Sequence, residues 1–390
     1  MTENGKTSVK VIFALALVHF IGDFYFSFVV PLLPVLVDKF SLTLTQVGLI
    51  TGISRFLAFV VQPSVGYIAD HYRTRFFVLG GPLLAAVSIP LVGVAPSFLV
   101  LVFLVCLGAT GTSMFHPTTA GMVSAYAGRH FGFSMSIFNM GGTLAFGAGP
   151  LFITYFVSIY GLKASPITMI FGLAMVLLLF RIVPFPVGEG LGNLGFIGSI
   201  KEVLGTVWRS IVLIWLVMVL RSFVSQSFLT FVPVLLGKEG YPLVSIGTMV
   251  SLFTVAGAIS GLLAGHLSDR LGYKPIFFVT HSLATPCLYL LIFLPGKWIY
   301  LSVFLAGFFV LATLPLGVAY AQELAPRGKS MVSSLMMGLA YGMGGMMTAI
   351  TGKLADIFAI RPVLSYLAII PLLTIGLIAL VKEKSPTENI

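Results

Sequence analysis

Long apolar runs recur along the whole of this 390-residue chain, and they limit the possible folds more than any other feature. A helix needs roughly 20 apolar residues to cross the hydrocarbon core of a bilayer. The sequence supplies twelve such runs, and only 9% of its residues are charged, against about 25% in an average soluble domain. We therefore predict an all-α membrane protein with twelve transmembrane helices, surrounded mainly by lipid.

The runs form two sets of six, separated by a connector at 184–207 that is richer in glycine and carries several charges. This pattern predicts an N-terminal six-helix bundle at 1–183 and a C-terminal six-helix bundle at 208–390. The predicted spans lie at about 11–36, 46–68, 76–95, 98–122, 131–156 and 164–183, and at about 208–236, 244–266, 275–295, 299–322, 331–353 and 361–381.

A ten-residue stretch occurs twice, at 66–75 and at 265–274, and each copy joins two apolar runs. Each copy has a glycine, an acid four residues later and a base five residues after the acid. The shared positions are Gly66, Asp70 and Arg75 in the first copy and Gly265, Asp269 and Lys274 in the second. We infer that one half of the chain duplicates the other, which makes the two predicted bundles pseudo-symmetric.

The repeated stretch resembles the signature loop of the major facilitator superfamily, G-x-L-x-D-R-x-G-x-K. The second copy, with Arg270 after its aspartate, fits almost in full, whereas the first has His71 and Arg73 where arginine and glycine are usual. The resemblance implies that both loops hold neighbouring helices on the cytoplasmic side and act as gates. Alternatively, Asp70 and Asp269 only cap the loops and stabilise them in every conformational state.

Lysine and arginine are distributed unevenly between the two sides of the predicted membrane. With an even number of spans both termini share a side, which carries 14 of the 22 basic residues, whereas the opposite side carries 6. Basic residues accumulate in cytoplasmic loops, so we predict a cell (inner) membrane protein with both termini and both signature loops in the cytoplasm. The remaining two basic residues, Arg55 and Arg221, fall near the middle of predicted spans.

Asp23 is the one carboxylate clearly inside a predicted span, and it lies about 12 residues, or roughly 18 Å, into the first run. His19 lies one turn earlier on the same face of a helix. Ionisable groups within a bilayer are costly and commonly functional, so we predict that Asp23 and His19 handle protons. The alternative is that Asp23 and a buried arginine neutralise one another as a structural pair.

His116 precedes Pro117 in the fourth predicted span. Proline lacks an N–H and leaves a carbonyl one turn earlier without a donor, so we expect a kink there. Because histidine titrates near neutral pH, His116 is predicted to join Asp23 and His19 in proton coupling. Alternatively, its imidazole donates to the freed carbonyl and fixes the kink. His281 in the ninth span is predicted to have a packing role.

The two arginines near the midplane favour an anionic substrate. A planar guanidinium binds phosphonate or carboxylate groups through paired hydrogen bonds, and transporters built from repeats place their sites near the midplane. We therefore predict that Arg55 and Arg221 bind substrate. Three neutral polar residues in the spans could add hydrogen bonds to the ligand or could instead bond neighbouring helices; they are Asn139, Ser225 and Gln226.

Further motifs resemble the fosmidomycin resistance branch of the same superfamily, and the similarity covers essentially the whole chain. The motifs are Phe115-His116-Pro117, the stretch at 128–130, the glycines at 141–142, the Gly-Pro pair at 149–150 and the stretch at 333–342. That branch implies proton-coupled efflux of small anionic compounds of the phosphonate type. The glycines of the fifth span also partly resemble an antiporter motif, although close helix packing is the favoured explanation for them.

The sequence thus predicts a monomeric secondary transporter that exports a small anion in exchange for protons by alternating access. An importer that couples the anion to protons in symport is an alternative. A transporter-like receptor is a second alternative, although the short predicted termini leave no room for an output domain. No catalytic, nucleotide-binding or metal-ligand spacing is evident, so we expect no enzyme, no cofactor and no metal. The scattered basic residues argue against nucleic acid as a partner.

Overall fold

The computed structural model describes residues 8–71, 75–127, 131–185, 205–294, 296–325, 332 and 334–381. These residues are almost entirely helical, and none of them forms a β-strand. Eleven helical runs among them are long and apolar enough to cross a membrane. The predicted all-α membrane fold is therefore confirmed.

The first six predicted spans are all present as helices, and most extend a few residues beyond the predicted ends. They comprise α1 (Val9–Phe26), α2 (Val29–Phe40), α3 (Leu44–His71), a π-helical turn (Phe76–Gly80) leading into α4 (Gly81–Leu91), a 3-10 turn (Val92–Val94), α5 (Phe98–Tyr126), α6 (Phe131–Tyr160) and a 3-10 segment (Leu162–Thr168) before α7 (Met169–Ile182).

The second half begins with a 3-10 turn (Gly205–Val207). It continues with α8 (Trp208–Lys238), α9 (Leu243–Leu271), α10 (Tyr273–Phe293), a 3-10 turn (Gly296–Trp298), α11 (Ile299–Leu311), α12 (Thr313–Leu324), a π-helical segment (Ser334–Ala340), α13 (Tyr341–Met346), α14 (Thr348–Phe358), α15 (Ile360–Leu367) and α16 (Ile370–Leu380). The predicted span at 331–353 is therefore divided into several segments, and part of its beginning lies outside the described residues.

Local sequence signals mark several helix ends. At the start of α3, Thr43 and Gln46 form a reciprocal capping box, in which each side chain accepts a hydrogen bond from the other residue's backbone amide. Gly272 separates α9 from α10 and has a φ of 80°, a left-handed conformation that glycine adopts without steric cost. Pro117 does not end α5, because the helix continues through it to Tyr126.

The described residues form two compact units. Unit 1 draws on Met1–Leu191 and Val232–Ser251, and unit 2 on Gly192–Phe231 and Leu252–Ile390. The division predicted from the sequence, with a connector at 184–207, stays a prediction, because most of that connector lies outside the described residues.

In unit 1, α1 packs against α4, α5 and α6. Two glycines allow especially close approaches: a side chain at Gly141 would meet the carbonyl of Ala16, and one at Gly22 would meet the ring of Phe115. Small residues let helix backbones come close together where lipid is the solvent. The side chains of α1 that face α5 and α6 are consequently buried within the unit.

In unit 2, α10 contacts α11, α15 and α16, and hydrogen bonds link it to the last two helices. Thr285 donates to the carbonyl of Ala368, and Tyr289 donates to the carbonyl of Ser365. A cluster of buried apolar side chains, mainly from α8, α10, α12 and α16, forms a core in this unit. These contacts stabilise α8 and α10, the two helices that bear the buried polar groups described below.

Candidate functional site

Three titratable side chains meet inside unit 1. His19 and Asp23 lie four residues apart on α1, and Nε2 of His19 is 3.1 Å from Oδ2 of Asp23. His116, on α5, places its Nε2 3.5 Å from the same carboxylate oxygen. We call these residues the histidine–aspartate cluster, and it brings together the three residues predicted for proton coupling.

Backbone carbonyls fix the orientation of both imidazoles. Nδ1 of His19 lies 2.9 Å from the carbonyl oxygen of Phe138 on α6, and Nδ1 of His116 lies 2.5 Å from that of Thr112 on α5. Because a carbonyl oxygen can only accept, each Nδ1 must carry the hydrogen. In a neutral ring this leaves an Nε2 lone pair directed at the carboxylate, so the cluster favours a cation between these atoms.

Aromatic rings enclose the cluster on several sides. Phe115 stacks on His116 with ring centroids 4.2 Å apart, and Phe138 lies 4.3 Å from His19. The side chains of Asp23 and His19 are only 6% and 8% exposed, whereas that of His116 is 31% exposed. Electrostatic interactions are strong in such low-dielectric surroundings, and His116 is the member through which the cluster is most accessible.

Gly142 on α6 leaves the space that the His19 ring occupies, because a side chain at this position would collide with the imidazole. We therefore expect Gly142→Ala to destabilise the protein by about 1–3 kcal/mol, the usual cost of overpacking. Gly121→Ala on α5 is the matched control, since nothing lies within 4 Å of a side chain there. Thermal unfolding in detergent would measure both, and equal melting temperatures for the two variants would contradict this role of Gly142.

The partners of Asp23 bear on the alternative that it forms a structural pair with an arginine. Both ion-pair partners that the structure gives Asp23 are histidines. Arg55, on α3, places its guanidinium carbon 6.0 Å from the ring centroid of Phe26. The alternative role of His116 was to donate to the carbonyl that Pro117 leaves without an amide donor, which is the carbonyl of Ser113. In the structure His116 instead hydrogen-bonds the carbonyl of Thr112.

Arg221 is the other buried charge that the sequence singled out. It lies on α8 in unit 2 and is only 4% exposed. Its Nε, Nη1 and Nη2 atoms are all buried and have no hydrogen-bond partner among the described residues. Tyr341 and His281 are close enough to interact with it electrostatically. A buried guanidinium without hydrogen bonds is costly, so the three nitrogens of Arg221 lack, in the described part of the chain, the acceptors that would offset their burial.

The neutral residues predicted to contact substrate have varied surroundings. Ser225 donates to the carbonyl of Ser222 within α8, and Nε2 of Gln226 donates to the hydroxyl of Tyr341 at 2.7 Å. Both side chains are buried in unit 2, whereas Asn139 on α6 of unit 1 is exposed. Gln226 thus links the helix that bears Arg221 to the segment that bears Tyr341.

The first signature loop is described only in part. Gly66 and Asp70 belong to the last turns of α3. The side chain of Asp70 lies outside the part of the chain that the structure describes, as does the whole of Arg73. Arg75 donates from Nη1 to the carbonyl of Phe180 at 3.2 Å and lies 4.1 Å from the ring centroid of Phe185. The base of this loop therefore contacts the end of α7 and the residues that follow it.

The second signature loop is fully described. Gly265, Asp269 and Arg270 lie in the last two turns of α9, and Lys274 is the second residue of α10, which follows the left-handed Gly272. The side chains of Asp269 and Arg270 are exposed. The predicted gating role stays a prediction for both loops.

Two side chains near Arg221 were not among the predicted site residues. Tyr341 lies within the stretch at 333–342, but nothing in the sequence marked this tyrosine as a candidate site residue. His281, predicted to have a packing role, is buried and hydrogen-bonds Thr374 through Nδ1 at 2.6 Å and Thr313 through Nε2 at 3.2 Å. Only its polarity within an apolar run distinguished it in the sequence.

Comparison with known proteins agrees with this architecture. A fosmidomycin resistance protein from Escherichia coli K12 is 28% identical over 378 residues, which cover 95% of this chain and 93% of that protein. An uncharacterised MFS-type transporter of Bacillus subtilis, YfnC, is 25% identical over 96% of this chain and 93% of its own length. The quinolone resistance protein NorA of Staphylococcus aureus is 27% identical over a shorter stretch, covering 36% of this chain and 37% of NorA.

Solved structures share the fold at low sequence identity. A bacterial homologue of the human lysosomal transporter Spinster, in an inward-facing and unoccupied conformation, matches with a TM-score of 0.81 over 96% of this chain and 98% of that chain, at 15% identity. The nucleoside transporter NupG matches with a TM-score of 0.77 over 97% of this chain and 100% of that chain, at 13% identity.

A family model covers most of the chain as well. Residues 15–349 match the Major Facilitator Superfamily model, in agreement with the duplicated signature loop, the helical membrane fold and the relatives above. The chain is therefore a multi-pass membrane transporter, not an enzyme, and it belongs to the major facilitator superfamily.

Proposed function

We propose that this transporter exports a small anionic compound, such as a phosphonate-type antibiotic, in exchange for protons by alternating access. The observation that carries the proposal is Arg221, whose buried guanidinium has no hydrogen-bond partner among the described residues. An anion bound there would supply the missing acceptors, and charge-assisted hydrogen bonds are about twice as strong as neutral ones. Ser225 and Gln226, on the same helix as Arg221, are proposed to add contacts to substrate, and Arg55 and Asn139 stay predicted substrate contacts.

Proton coupling is assigned to the histidine–aspartate cluster. One carboxylate faces two imidazole nitrogens that need a cation between them, and a proton is the smallest cation that meets this need. A histidine side chain in general changes its charge near neutral pH, where cells maintain a pH difference across the membrane. Binding and release of the proton would then favour different conformations of the protein, because a ligand shifts an equilibrium by its differential affinity.

The direction of transport is inferred from the relatives. The fosmidomycin and quinolone resistance proteins are named for resistance to these antibiotics, which supports export from the cytoplasm. We further propose that the protein is a monomer in the cell (inner) membrane with both termini in the cytoplasm; the asymmetry of basic residues between the two sides supports this orientation.

The test is transport in inside-out vesicles, in which export appears as uptake into the lumen. With a phosphonate antibiotic as probe, we expect accumulation when the lumen is made acidic and none when the pH gradient is collapsed. A symporter that imports the probe would not accumulate it under these conditions. It would instead accumulate the probe in right-side-out vesicles whose exterior is acidic. Uptake that ignores the pH gradient would reject proton coupling.

The second signature loop provides a prediction about gating. We expect Asp269→Asn to slow transport and to increase labelling of Asn139→Cys from the cytoplasmic side. If the Asp269 carboxylate helps to hold the cytoplasmic side closed, its loss shifts the protein toward conformations that are open to the cytoplasm. The background would lack Cys106 and Cys287, and Glu239→Gln, near the end of α8, is a control at another helix end. Unchanged labelling with a lowered melting temperature would show that Asp269 only stabilises the loop.

A further inference from the structure

We propose that the histidine–aspartate cluster also binds a divalent transition-metal ion of the zinc class. This inference rests on the geometry of the three side chains and does not depend on the substrate or the direction of transport. Two imidazoles and one carboxylate are the ligands that zinc, cobalt and nickel accept. Sequence spacing could not indicate this set, because 93 positions separate Asp23 from His116.

The distances between the ligand atoms suit a tetrahedral ion. Zinc binds imidazole nitrogen and carboxylate oxygen at about 2.0–2.1 Å, so two ligands at a tetrahedral angle lie roughly 3.3–3.4 Å apart. Oδ2 of Asp23 is 3.1 Å from Nε2 of His19 and 3.5 Å from Nε2 of His116. All three ligand atoms lie within 4.8 Å of one another. The two separations from Asp23 thus bracket the tetrahedral value, and the imidazoles would adjust to bring their Nε2 atoms to the same separation from each other.

The hydrogen bonds around the cluster match the outer shell of a metal site. Histidines that bind a metal almost always donate their second ring N–H to a carbonyl, a carboxylate or water, which fixes the ring orientation. Both histidines here donate from Nδ1 to a backbone carbonyl, that of Phe138 or that of Thr112, and direct Nε2 at Asp23. An ion between them would also relieve the repulsion between the lone pairs and the carboxylate.

Access and selectivity follow from the surroundings. The partial exposure of His116 leaves one side of the cluster open, where water or a ligand could occupy a fourth coordination position. Three ligands that include two nitrogens are poorly suited to magnesium and calcium, which prefer six or more oxygen ligands. We therefore expect zinc-class ions to bind and magnesium not to bind, and a bound zinc ion should inhibit transport by holding the cluster in one charge state.

Calorimetric titration of the purified full-length protein with ZnCl₂ tests the proposal, in detergent, without substrate and without a polyhistidine tag. We expect one zinc ion per chain and no heat of binding with MgCl₂. His116→Gln and the isosteric Asp23→Asn should each weaken zinc binding by more than about 100-fold, since losing even an outer-shell partner typically costs about 10- to 100-fold. His281→Gln is the matched control, because this buried histidine lies in unit 2, outside the cluster.

Cobalt gives an independent readout, because its visible absorption distinguishes tetrahedral nitrogen and oxygen ligands from water. Wild-type protein and the His281→Gln variant should both develop this absorption, and Asp23→Asn should not. Absence of zinc binding in the wild type, or equal affinity in wild type, Asp23→Asn and His116→Gln, would overturn the proposal. Because binding is measured without transport, such a result would leave the export proposal intact, and failure of export would leave the metal site intact.

Discussion

Asp23→Asn is expected to reduce proton-driven transport to the level of vesicles that lack the protein, while substrate binding persists. Asparagine has nearly the shape of aspartate, but it cannot take up a proton and hold it between two imidazoles. The side chain is only 6% exposed and faces Nε2 of both His19 and His116. Because the substitution removes the carboxylate that both imidazoles face, the loss should be nearly complete.

Two assays separate coupling from binding in this variant. Accumulation driven by an imposed pH gradient should vanish, whereas exchange of labelled for unlabelled substrate at equal pH should continue. Asp38→Asn on α2 is the matched control, because that carboxylate is exposed and lies outside the cluster. If the Asp23→Asn variant still accumulates substrate against a gradient, the coupling group lies elsewhere.

Arg221→Met is expected to abolish substrate binding without lowering the stability of the unliganded protein. Hydrogen bonds to charged groups contribute roughly 1.5–3 kcal/mol each, so losing two of them should weaken affinity by more than about 100-fold. At the same time, replacing a buried charge that lacks partners by an apolar side chain of similar length is commonly neutral or stabilising. A residue with a purely structural role would show the opposite combination.

Arg221→Lys distinguishes charge from geometry at this position. Lysine retains the positive charge but lacks the planar fork that matches phosphonate and carboxylate oxygens, so affinity should fall only in part. Arg209→Met is the control on the same helix, since Arg209 is exposed. Equal substrate affinities in wild type, Arg221→Lys and Arg221→Met would exclude direct contact between Arg221 and the substrate.

The helices were predictable because their cause is local. An apolar run of the required length must be helical in lipid, so eleven of the predicted spans correspond to long helical runs in the described residues, and the span at 331–353 is helical but divided into shorter segments. Interruptions were less predictable: α1 ends at Phe26 and α2 begins at Val29 within a single apolar run. The Ser27 hydroxyl donates to the Phe24 carbonyl there, but a lone serine is too common in such helices to signal a break.

The candidate site could be predicted only as separate residues. Charge within an apolar run identified Asp23 and Arg221, because ionisable groups at membrane depth are rare. The meeting of Asp23 with His116 depends on how closely α1 approaches α5, and Gly22 permits this approach by leaving room for the Phe115 ring. The partner that the sequence favoured for Asp23 in a structural pair was arginine, since opposite charge is visible in a sequence and helix proximity is not.

The hydrogen bonds from the two Nδ1 atoms to backbone carbonyls affect whether protons could leak across the membrane through the cluster. A histidine conducts protons along a chain by taking one up at one ring nitrogen and releasing another from the opposite nitrogen, or by rotating its ring. Neither route is open to His19 or His116, because each Nδ1–H is held by a backbone carbonyl. In the proposed mechanism a proton would therefore leave by the same edge at which it arrived, and its passage across the membrane would require a conformational change that opens this edge to the other side. Such a carrier can use the proton gradient without dissipating it at rest.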